Sequence, residues 1–319
     1  MKIYELLLKP ISPWITDLTA DTIFGHICWQ IKYKFWKDVL EDFLKKMSKK
    51  PIFTLSDVLP SDRLPRPLSN FDWDLWEQDE EDFEKNKNYN WLDLIFRQKF
   101  KNNYLWKKIE RNNIWEIKRK IENQKIYNWL VKNIENKNII DRKTWITWEN
   151  GIYSQESTFI SNSNNELKLY IKIFNLEDFN KLNILDLLKK IFEIYGFWKK
   201  KSTWKWLFEI KKINENFKNN FYWVEKKVYK NYILLSNFIP SENDSIDWNY
   251  KIFTKFPKMW EENSIEWQNF YKKPLIMINF WSTFEKNETY DWYVWTMIEK
   301  VDFQNKWIYQ YAYWFTLDF

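Results

Sequence analysis

The sequence predicts an α+β protein with two domains that pack against each other. Over residues 1–212 the hydrophobic pattern runs strand–helix–strand and, after an insertion, strand–helix–strand again. That element order is typical of a ferredoxin-like (RRM-like) unit. Residues 213–319 carry strand-like patterns and little helix, as expected for a second, β-rich RRM-like domain. No long linker separates the two stretches, so we expect the two ferredoxin-like domains to be packed together.

The first domain begins with a strand and a helix. Residues 2–10 alternate and then run apolar, which predicts a buried strand. Apolar residues at 23, 24, 27, 28 and 31 lie on one face of a helix that begins near residue 21. Thr19 or Asp21 is the expected cap, because a side-chain oxygen there accepts from a free N–H of the first turn. A short strand and a proline-rich, extended arm follow.

Residues 72–138 differ from the rest of the first domain. The stretch is charged and rich in asparagine, and from residue 91 its apolar residues follow a helical pattern. We therefore predict a peripheral helical insertion over about 72–138. The remaining predicted elements of the first domain are a loop and strand over 139–161, a strand over 166–174, an amphipathic helix over 183–197 and a strand over 207–213.

Tryptophan is abundant and glycine is scarce. The chain has 23 Trp and 3 Gly in 319 residues, whereas average usage gives about 22 glycines at this length. Many of the tryptophans stand where turns are expected, and Gly is far better suited to turns. This indicates that UGA codons read as glycine in the source organism stand in this sequence as tryptophan. The alternative is a truly tryptophan-rich protein. Trp29, inside a helical pattern, is expected to be a genuine tryptophan.

Charge and cysteine content narrow the class of protein. The net charge of +6 favours a polyanionic partner only weakly, because 50 basic residues are interspersed with 44 acidic ones. A single cysteine, Cys28, excludes an internal disulfide and a cysteine-rich zinc site, and fits a cytoplasmic protein. No signal peptide or membrane span is expected from the short apolar runs. No cofactor or metal is expected either.

Residues 196–210, GFWKKKSTWKWLFEI, carry the clearest binding pattern. With glycine at 198, 204 and 206 the stretch becomes a glycine-rich loop between a helix and a strand. Glycines let backbone N–H groups approach phosphate oxygens, while lysines supply charge and hydroxyls donate hydrogen bonds. No GK[ST] motif precedes a helix, so this is not a nucleotide-hydrolysing P-loop. The predicted phosphate contacts are Lys199, Lys200, Lys201, Ser202, Thr203 and Lys205.

With these glycines, the loop resembles the glycine-rich loop of the RAMP superfamily of CRISPR proteins. Residues 21–33 and 53–68 look like the N-terminal region of subunit four of the Csm complex, the type III-A CRISPR effector. Residues 138–160 are similar to the segment that follows that family's helical insertion. Residues 274–319 resemble its C-terminal signature, a Gly-Ser-Thr-Phe turn, a short hairpin and a Tyr-Ala-rich strand. The 72–138 insertion is unmatched.

The resemblance implies a non-catalytic, RNA-binding subunit of an antiviral ribonucleoprotein. Such a subunit holds the repeat-derived 5′ handle of the crRNA and joins the large polymerase/cyclase subunit to the backbone RAMP subunits. The loop lysines and hydroxyls are then RNA contacts. His26, the only histidine, is a further candidate for RNA contact, as are Arg142 and Lys143 in a second loop.

Several alternatives remain open from the sequence. His26 is also a candidate general base for RNA cleavage, or a structural residue. Arg142 and Lys143 are either phosphate contacts or exposed turn residues. Asp17 and Asp21 lie where a related backbone subunit has a metal-binding acid, although capping is the simpler interpretation of Asp21.

The alternative function for the whole chain is a metal-independent endoribonuclease that processes CRISPR repeat RNA. The sequence has no second histidine and no clear acid–base pair, which favours the non-catalytic interpretation. A carbohydrate-binding or membrane-surface protein would require the indoles to be genuine.

Overall fold

A computed structural model describes a mixed α/β chain whose paired strands are antiparallel. The residues that it describes are 2–61, 63–65, 94–96, 130–140, 147–160, 166–196, 207–215, 231–240, 250–258, 271–280, 282–285, 297–301 and 308–318.

In chain order, the helices and strands are β1 (Lys2–Pro10), α1 (Ala20–Lys49), β2 (Phe53–Leu55), β3 (Leu59–Pro60), β4 (Arg63–Pro65), β5 (Leu94–Phe96), β6 (Leu130–Ile140), β7 (Thr147–Ile160), β8 (Leu167–Ile173), α2 (Leu176–Lys181), α3 (Ile184–Lys190), a π-helical turn (Ile191–Tyr195), β9 (Phe208–Glu215), β10 (Asn231–Leu234), β11 (Ile252–Lys255), β12 (Leu275–Ile278), β13 (Thr283–Glu285) and β14 (Thr316–Asp318).

The largest sheet has the strand order β2–β8–β1–β9, with β3 also paired to β8. The odd-numbered residues of β8, Leu167 to Ile173, lie on one face together with Leu6 and Leu8 of β1. Buried residues of α1 and α3 pack on this face, for example Ile27 and Leu187. The predicted strands over 2–10, 166–174 and 207–213 and the helix near 21 are confirmed, because their hydrophobic periodicity matches what this core buries.

The other face of the sheet is covered by the C-terminal segment. Tyr170 of β8 stacks on Phe315, with ring centroids 6.0 Å apart. Lys172 Nζ donates to Thr316 O at 3.4 Å and lies over the Phe315 ring. Lys168, fully buried, donates to Ser61 O at 2.8 Å. Phe315 and Thr316 of the C-terminal segment are therefore in contact with the first sheet.

Two tyrosines tie the C-terminal segment to the first part of the chain. The Tyr311 hydroxyl accepts from Leu55 N at 2.8 Å, and the Tyr313 hydroxyl donates to Met47 O. Both rings belong to the core beneath α1. Backbone bonds continue this contact, since Asp57 N donates to Leu235 O, and Leu235 N donates to Phe315 O.

The smaller sheets are β13–β10–β14, β11–β12, β4–β5 and β6–β7. The predicted helical insertion needs correction at both places where the structure describes it. Leu94–Phe96 forms β5, and residues 130–138 belong to β6. Strand pairing explains both corrections, because β5 bonds to β4 and overrides the helical pattern there, and β6 bonds to β7 along nearly its whole length. The rest of 72–138 lies outside the described residues.

The predicted domain boundary at 212 falls within β9, which pairs with β1 as far as Glu215. The first sheet therefore extends a few residues further than expected. Among the helices of the described residues, none combines the length and the apolarity that a membrane crossing requires.

Helix α1 is interrupted at Trp36. This residue has φ 73° and ψ 173°, and its indole is 81% exposed. Gly196 has nearly the same backbone angles, φ 64° and ψ 173°. This region of φ/ψ space is essentially restricted to glycine. The backbone at position 36 is that of a glycine, which supports the interpretation of UGA codons read as glycine.

Other tryptophans are packed. Trp14 is buried, with its ring 5.7 Å from that of Phe208. Trp314 lies 5.5 Å from the Phe238 ring, and Trp29 lies 5.8 Å from Tyr33. The structure therefore supports a glycine codon at position 36, and these packed tryptophans give no such support.

The backbone at position 36 gives a stability prediction. Trp36→Gly should raise the free energy of unfolding by about 1–2 kcal/mol, since the removed strain exceeds the entropic cost of glycine. Trp29→Gly, the control, should lower it, because glycine is unfavourable in a helix interior and the ring contacts are lost. Urea unfolding of the three proteins measures both effects. A loss of stability in Trp36→Gly equal to that in Trp29→Gly would contradict the glycine interpretation.

Candidate nucleic-acid interface

The predicted RNA-binding loop ends next to the segment that links β1 to α1. Gly196 closes the π-helical turn before the loop, and Leu207 follows the loop. Leu207 N donates to Ser12 Oγ at 3.1 Å, and Ile11 N donates to Leu207 O at 2.9 Å. The register of the β1–β9 pair places Leu207 beside this link, because Pro10 at the end of β1 lies opposite Phe208 at the start of β9.

The loop residues themselves lie outside the described part of the chain. These are Lys199, Lys200, Lys201, Ser202, Thr203 and Lys205, and Arg142 and Lys143 lie outside it as well. Their roles stay predictions.

The base of the β6–β7 hairpin lies beside the same β1–α1 link. Trp14 N donates to Thr158 O at 2.8 Å, and Thr158 N donates back to Trp14 O at 2.6 Å. The Trp14 ring packs on Phe208, the second residue after the loop. The end of the loop, the β1–α1 link and the hairpin base thus meet in one place.

The two predicted basic loops are flanked by well separated backbone positions. Ile140 and Thr147, which flank Arg142 and Lys143, pair at the far end of the hairpin. From Thr147 to Thr158 a strand rises about 35 Å at 3.2–3.4 Å per residue. The backbone positions that flank the two loops are therefore about 35 Å apart along the hairpin.

His26 lies on α1 with only 5% of its surface exposed. A buried imidazole favours the structural interpretation over contact with RNA. The only cysteine, Cys28, is two residues away, and burial raises the pKa of its thiol above the ordinary range. Within the described residues, no three His, Cys, Asp or Glu side chains are grouped as a metal site would need.

Asp21 belongs to an ionic contact between the two parts of the chain. Its carboxylate accepts from Lys255 Nζ at 2.7 Å and from Gln310 Nε2 at 2.7 Å. Burial opposes the charge of Asp21, but the charge and hydrogen bond of Lys255 outweigh it and hold the pKa of Asp21 below its usual value. Asp21 is therefore engaged with the C-terminal part of the chain.

The prediction that the side chain of Thr19 or Asp21 caps α1 is wrong. Thr19 is at the N-cap position, but its side chain makes no capping hydrogen bond. The backbone N–H of Ala20 donates instead to Asp57 Oδ1 at 2.7 Å. Asp57 Oδ2 accepts from Asn237 Nδ2 at 3.1 Å, so one carboxylate joins the helix terminus to the C-terminal part. No local pattern reveals this cap, because Asp57 lies 37 residues along the chain.

Asp57 is a buried acid with an unusual ionisation. Burial and, to a smaller extent, the nearby carboxylate of Asp21 raise the pKa of Asp57, the N–H of Ala20 and the charge of Lys255 act in the opposite direction, and the net pKa is about 7. The contact between α1 and the C-terminal part of the chain thus combines two aspartates. Asp21 is paired with Lys255, and Asp57 titrates near neutral pH.

Comparison with known proteins supports the fold. No protein-family model matches the sequence, and no curated protein matches it. A chain of the Csm3–Csm4 subcomplex of the type III-A CRISPR-Cas interference complex is 16% identical, with a TM-score of 0.64 over 100% of this chain and 99% of that chain. A chain of the Csm1–Csm4 cassette in complex with cA4 is 14% identical, with a TM-score of 0.54 over 100% and 98%.

A chain of the type III-B Cmr-beta complex bound to cognate target RNA and AMPPnP is also similar. It is 15% identical, with a TM-score of 0.50 over 88% of this chain and 86% of that chain. The protein thus shares its fold with chains of these type III CRISPR-Cas complexes.

The raised pKa of Asp57 predicts a pH dependence of stability. Between about pH 4, near the pKa of an unfolded Asp, and pH 7, the folded protein holds a proton that the unfolded chain has lost. The free energy of unfolding should therefore fall as pH rises through this window. Asp57→Asn should flatten the fall, as measured by urea unfolding from about pH 5 to 8.

Asp21→Asn is the matched control for this measurement. Its pKa is lowered, so its own titration lies below the window. The variant should be less stable throughout, because Lys255 loses its partner, and should keep most of the pH slope. A slope that persists unchanged in Asp57→Asn would contradict the assignment to Asp57.

Proposed function

We propose that the protein is the Csm4-like subunit of a type III-A CRISPR ribonucleoprotein and that it binds the repeat-derived 5′ handle of the crRNA. The observation that carries the proposal is the likeness to a chain of the Csm3–Csm4 subcomplex over 100% of this chain and 99% of the other. The sequence resemblance at both ends and in the middle points the same way.

The architecture that goes with this function is a pair of ferredoxin-like domains, over 1–212 and 213–319. The order β2–β8–β1–β9, with α1 after β1 and α2 and α3 between β8 and β9, supports a ferredoxin-like first domain. The β-rich second domain contributes β10 to β14.

The glycine-rich loop is the proposed contact with the RNA backbone. The loop lies between Gly196 and Leu207, and Leu207 contacts the β1–α1 link just before the edge strand β9. Four lysines lie in the ten residues between them, together with Ser202 and Thr203. Charge of this density on a short loop is what sequence-independent phosphate contact requires, provided the backbone can approach closely.

The proposed role is non-catalytic, with two protein partners. The structural neighbours come from assemblies in which Csm4 is found with Csm3 or with Csm1. By analogy this chain would join a large polymerase/cyclase subunit to backbone RAMP subunits. The burial of His26 favours this role over the alternative endoribonuclease, which needs a general base at the RNA.

Salt dependence tests the loop. In a protein with Trp198→Gly, Trp204→Gly and Trp206→Gly, Lys201→Ala should reduce the slope of log affinity against log salt by about one unit for a crRNA-handle oligonucleotide. Lys49→Ala is the control, because this exposed lysine ends α1 at the other end from the loop. Equal slopes for Lys201→Ala and its parent would remove Lys201 from the interface.

An RNA-cleavage assay separates the two functions. CRISPR repeat RNA incubated with the protein and excess chelator should stay intact, and His26→Ala should behave in the same way. Cleavage by the unsubstituted protein that disappears in His26→Ala would overturn the non-catalytic proposal and establish the endoribonuclease.

A further inference from the structure

The turn that precedes the glycine-rich loop is π-helical. It spans Ile191–Tyr195 and continues directly from α3, which ends at Lys190. Such turns are rare and are frequently found at functional sites. This one leaves two large apolar side chains in solvent, since Ile194 is 64% exposed and Tyr195 is 42% exposed.

Helical periodicity alone would bury Tyr195. In a continuous α-helix, position 195 would share a face with Leu188, Ile191 and Phe192, which are all fully buried. A π-helical turn bonds residue i to i+5 rather than i+4, so it takes more residues and shifts those that follow out of the α-helical register. The backbone therefore removes Tyr195 from the core, although its place in the apolar pattern predicts burial.

The π-helical turn is fixed against the edge strand of the first sheet. Glu193 Oε1 accepts from Ile210 N of β9 at 3.1 Å, and the ring centroids of Phe192 and Phe208 are 5.8 Å apart. Both contacts join the turn before the loop to the strand after it. The backbone that carries Tyr195 is thus held in place, which lowers the entropic cost of binding a ligand there.

The chain around Tyr195 is basic. Residues 194–208 contain four lysines and no acid. The two acids that flank this stretch are engaged, since Glu193 accepts from Ile210 N and Glu209 accepts from Lys211 Nζ at 2.7 Å. An exposed aromatic ring beside a lysine-rich stretch is the combination that proteins use to bind single-stranded nucleic acid.

We propose that Tyr195 stacks on an unpaired base of the RNA whose backbone the glycine-rich loop binds. Lysines contact phosphates, whereas an aromatic ring contacts the face of a base. One strand can make both contacts, because Tyr195 lies four residues before Lys199, a span of at most about 14 Å. An apolar protein surface fits less well, because it would desolvate the lysines without supplying a counter-charge.

This inference rests on the proposed function, because it requires an RNA at the loop. It goes further by assigning a contact to a base, which the lysines and hydroxyls of the loop do not supply. Stacking and phosphate contact also differ in their response to salt, because stacking releases no counterions. Loss of one stacked base should weaken binding at least about fivefold.

Removal of single bases from the RNA tests the stacking directly. The full chain with Trp198→Gly, Trp204→Gly and Trp206→Gly, the parent, is titrated with crRNA-handle oligonucleotides that each carry one abasic site. We expect an abasic site at one or two positions to weaken binding at least about fivefold, and to have no effect once Tyr195→Leu is added. Tyr195→Phe should behave as the parent, because phenylalanine keeps the ring.

Tyr33→Leu is the matched control. Tyr33 is 51% exposed on α1, and the next residue, Lys34, pairs with Asp186, nine residues before Tyr195. This variant should give the same abasic pattern as the parent. The slope of log affinity against log salt should be equal in the parent and in Tyr195→Leu.

Three results would overturn the inference and leave the proposed function intact. The first, which needs no variant at position 195, is a parent whose affinity no single abasic site weakens. The second is an equal abasic effect in the parent and in Tyr195→Leu. The third is a loss of affinity in Tyr195→Phe as large as in Tyr195→Leu, which would indicate a contact of the hydroxyl.

Two further results separate the occupants. An RNA affinity that Tyr195→Leu leaves unchanged, together with weaker co-purification of a sister subunit, would assign the ring to a protein interface and overturn the inference. A parent that does not bind the handle oligonucleotide would instead contradict the proposed function, and this inference with it.

Discussion

The fold depends on the packing of the C-terminal segment against one face of the first sheet. Phe315 stacks on Tyr170, and Thr316 accepts from the buried Lys172. In an RRM, aromatic side chains on the open sheet face stack with RNA bases. That face is occupied here by the protein's own chain, so the proposed RNA contact is assigned to the sheet edge and its loops. The C-terminal end of the lysine-rich loop lies at this edge, where Leu207 precedes β9.

The junction between the two parts of the chain has a second, polar component. Asp21 pairs with Lys255, while Asp57 caps α1 and binds Asn237. Breaking one partner of a buried ionic contact is costly, because the other charge is left without compensation. The arrangement fixes the start of α1 against the C-terminal part, and α1 in turn follows the link that contacts the end of the loop. Stability and the placement of the candidate interface therefore depend on the same residues.

Local hydrophobic periodicity correctly predicted the strands and the helix that bury one face in the main core. The strands at β1, β8 and β9 and the helix α1 follow from apolar spacing alone. Sequence reasoning missed the strands β5 and β6 in the insertion, because their conformation depends on pairing with another strand. The cap of α1 was missed for the same reason, since Asp57 is remote in sequence. The unusual composition was informative, and Trp36 shows a glycine-type backbone in the structure. The candidate RNA contacts follow from loop chemistry, and the structure adds the contacts that the C-terminal end of the loop makes.

Nuclease protection of the guide RNA tests the central claim most directly. Complexes are assembled with and without this subunit, carrying glycine at 198, 204 and 206, and the crRNA is digested with ribonuclease. The account predicts that the 5′ handle survives only in complexes that contain the subunit. A handle that is digested equally in both complexes, although the subunit is present in one, would contradict it.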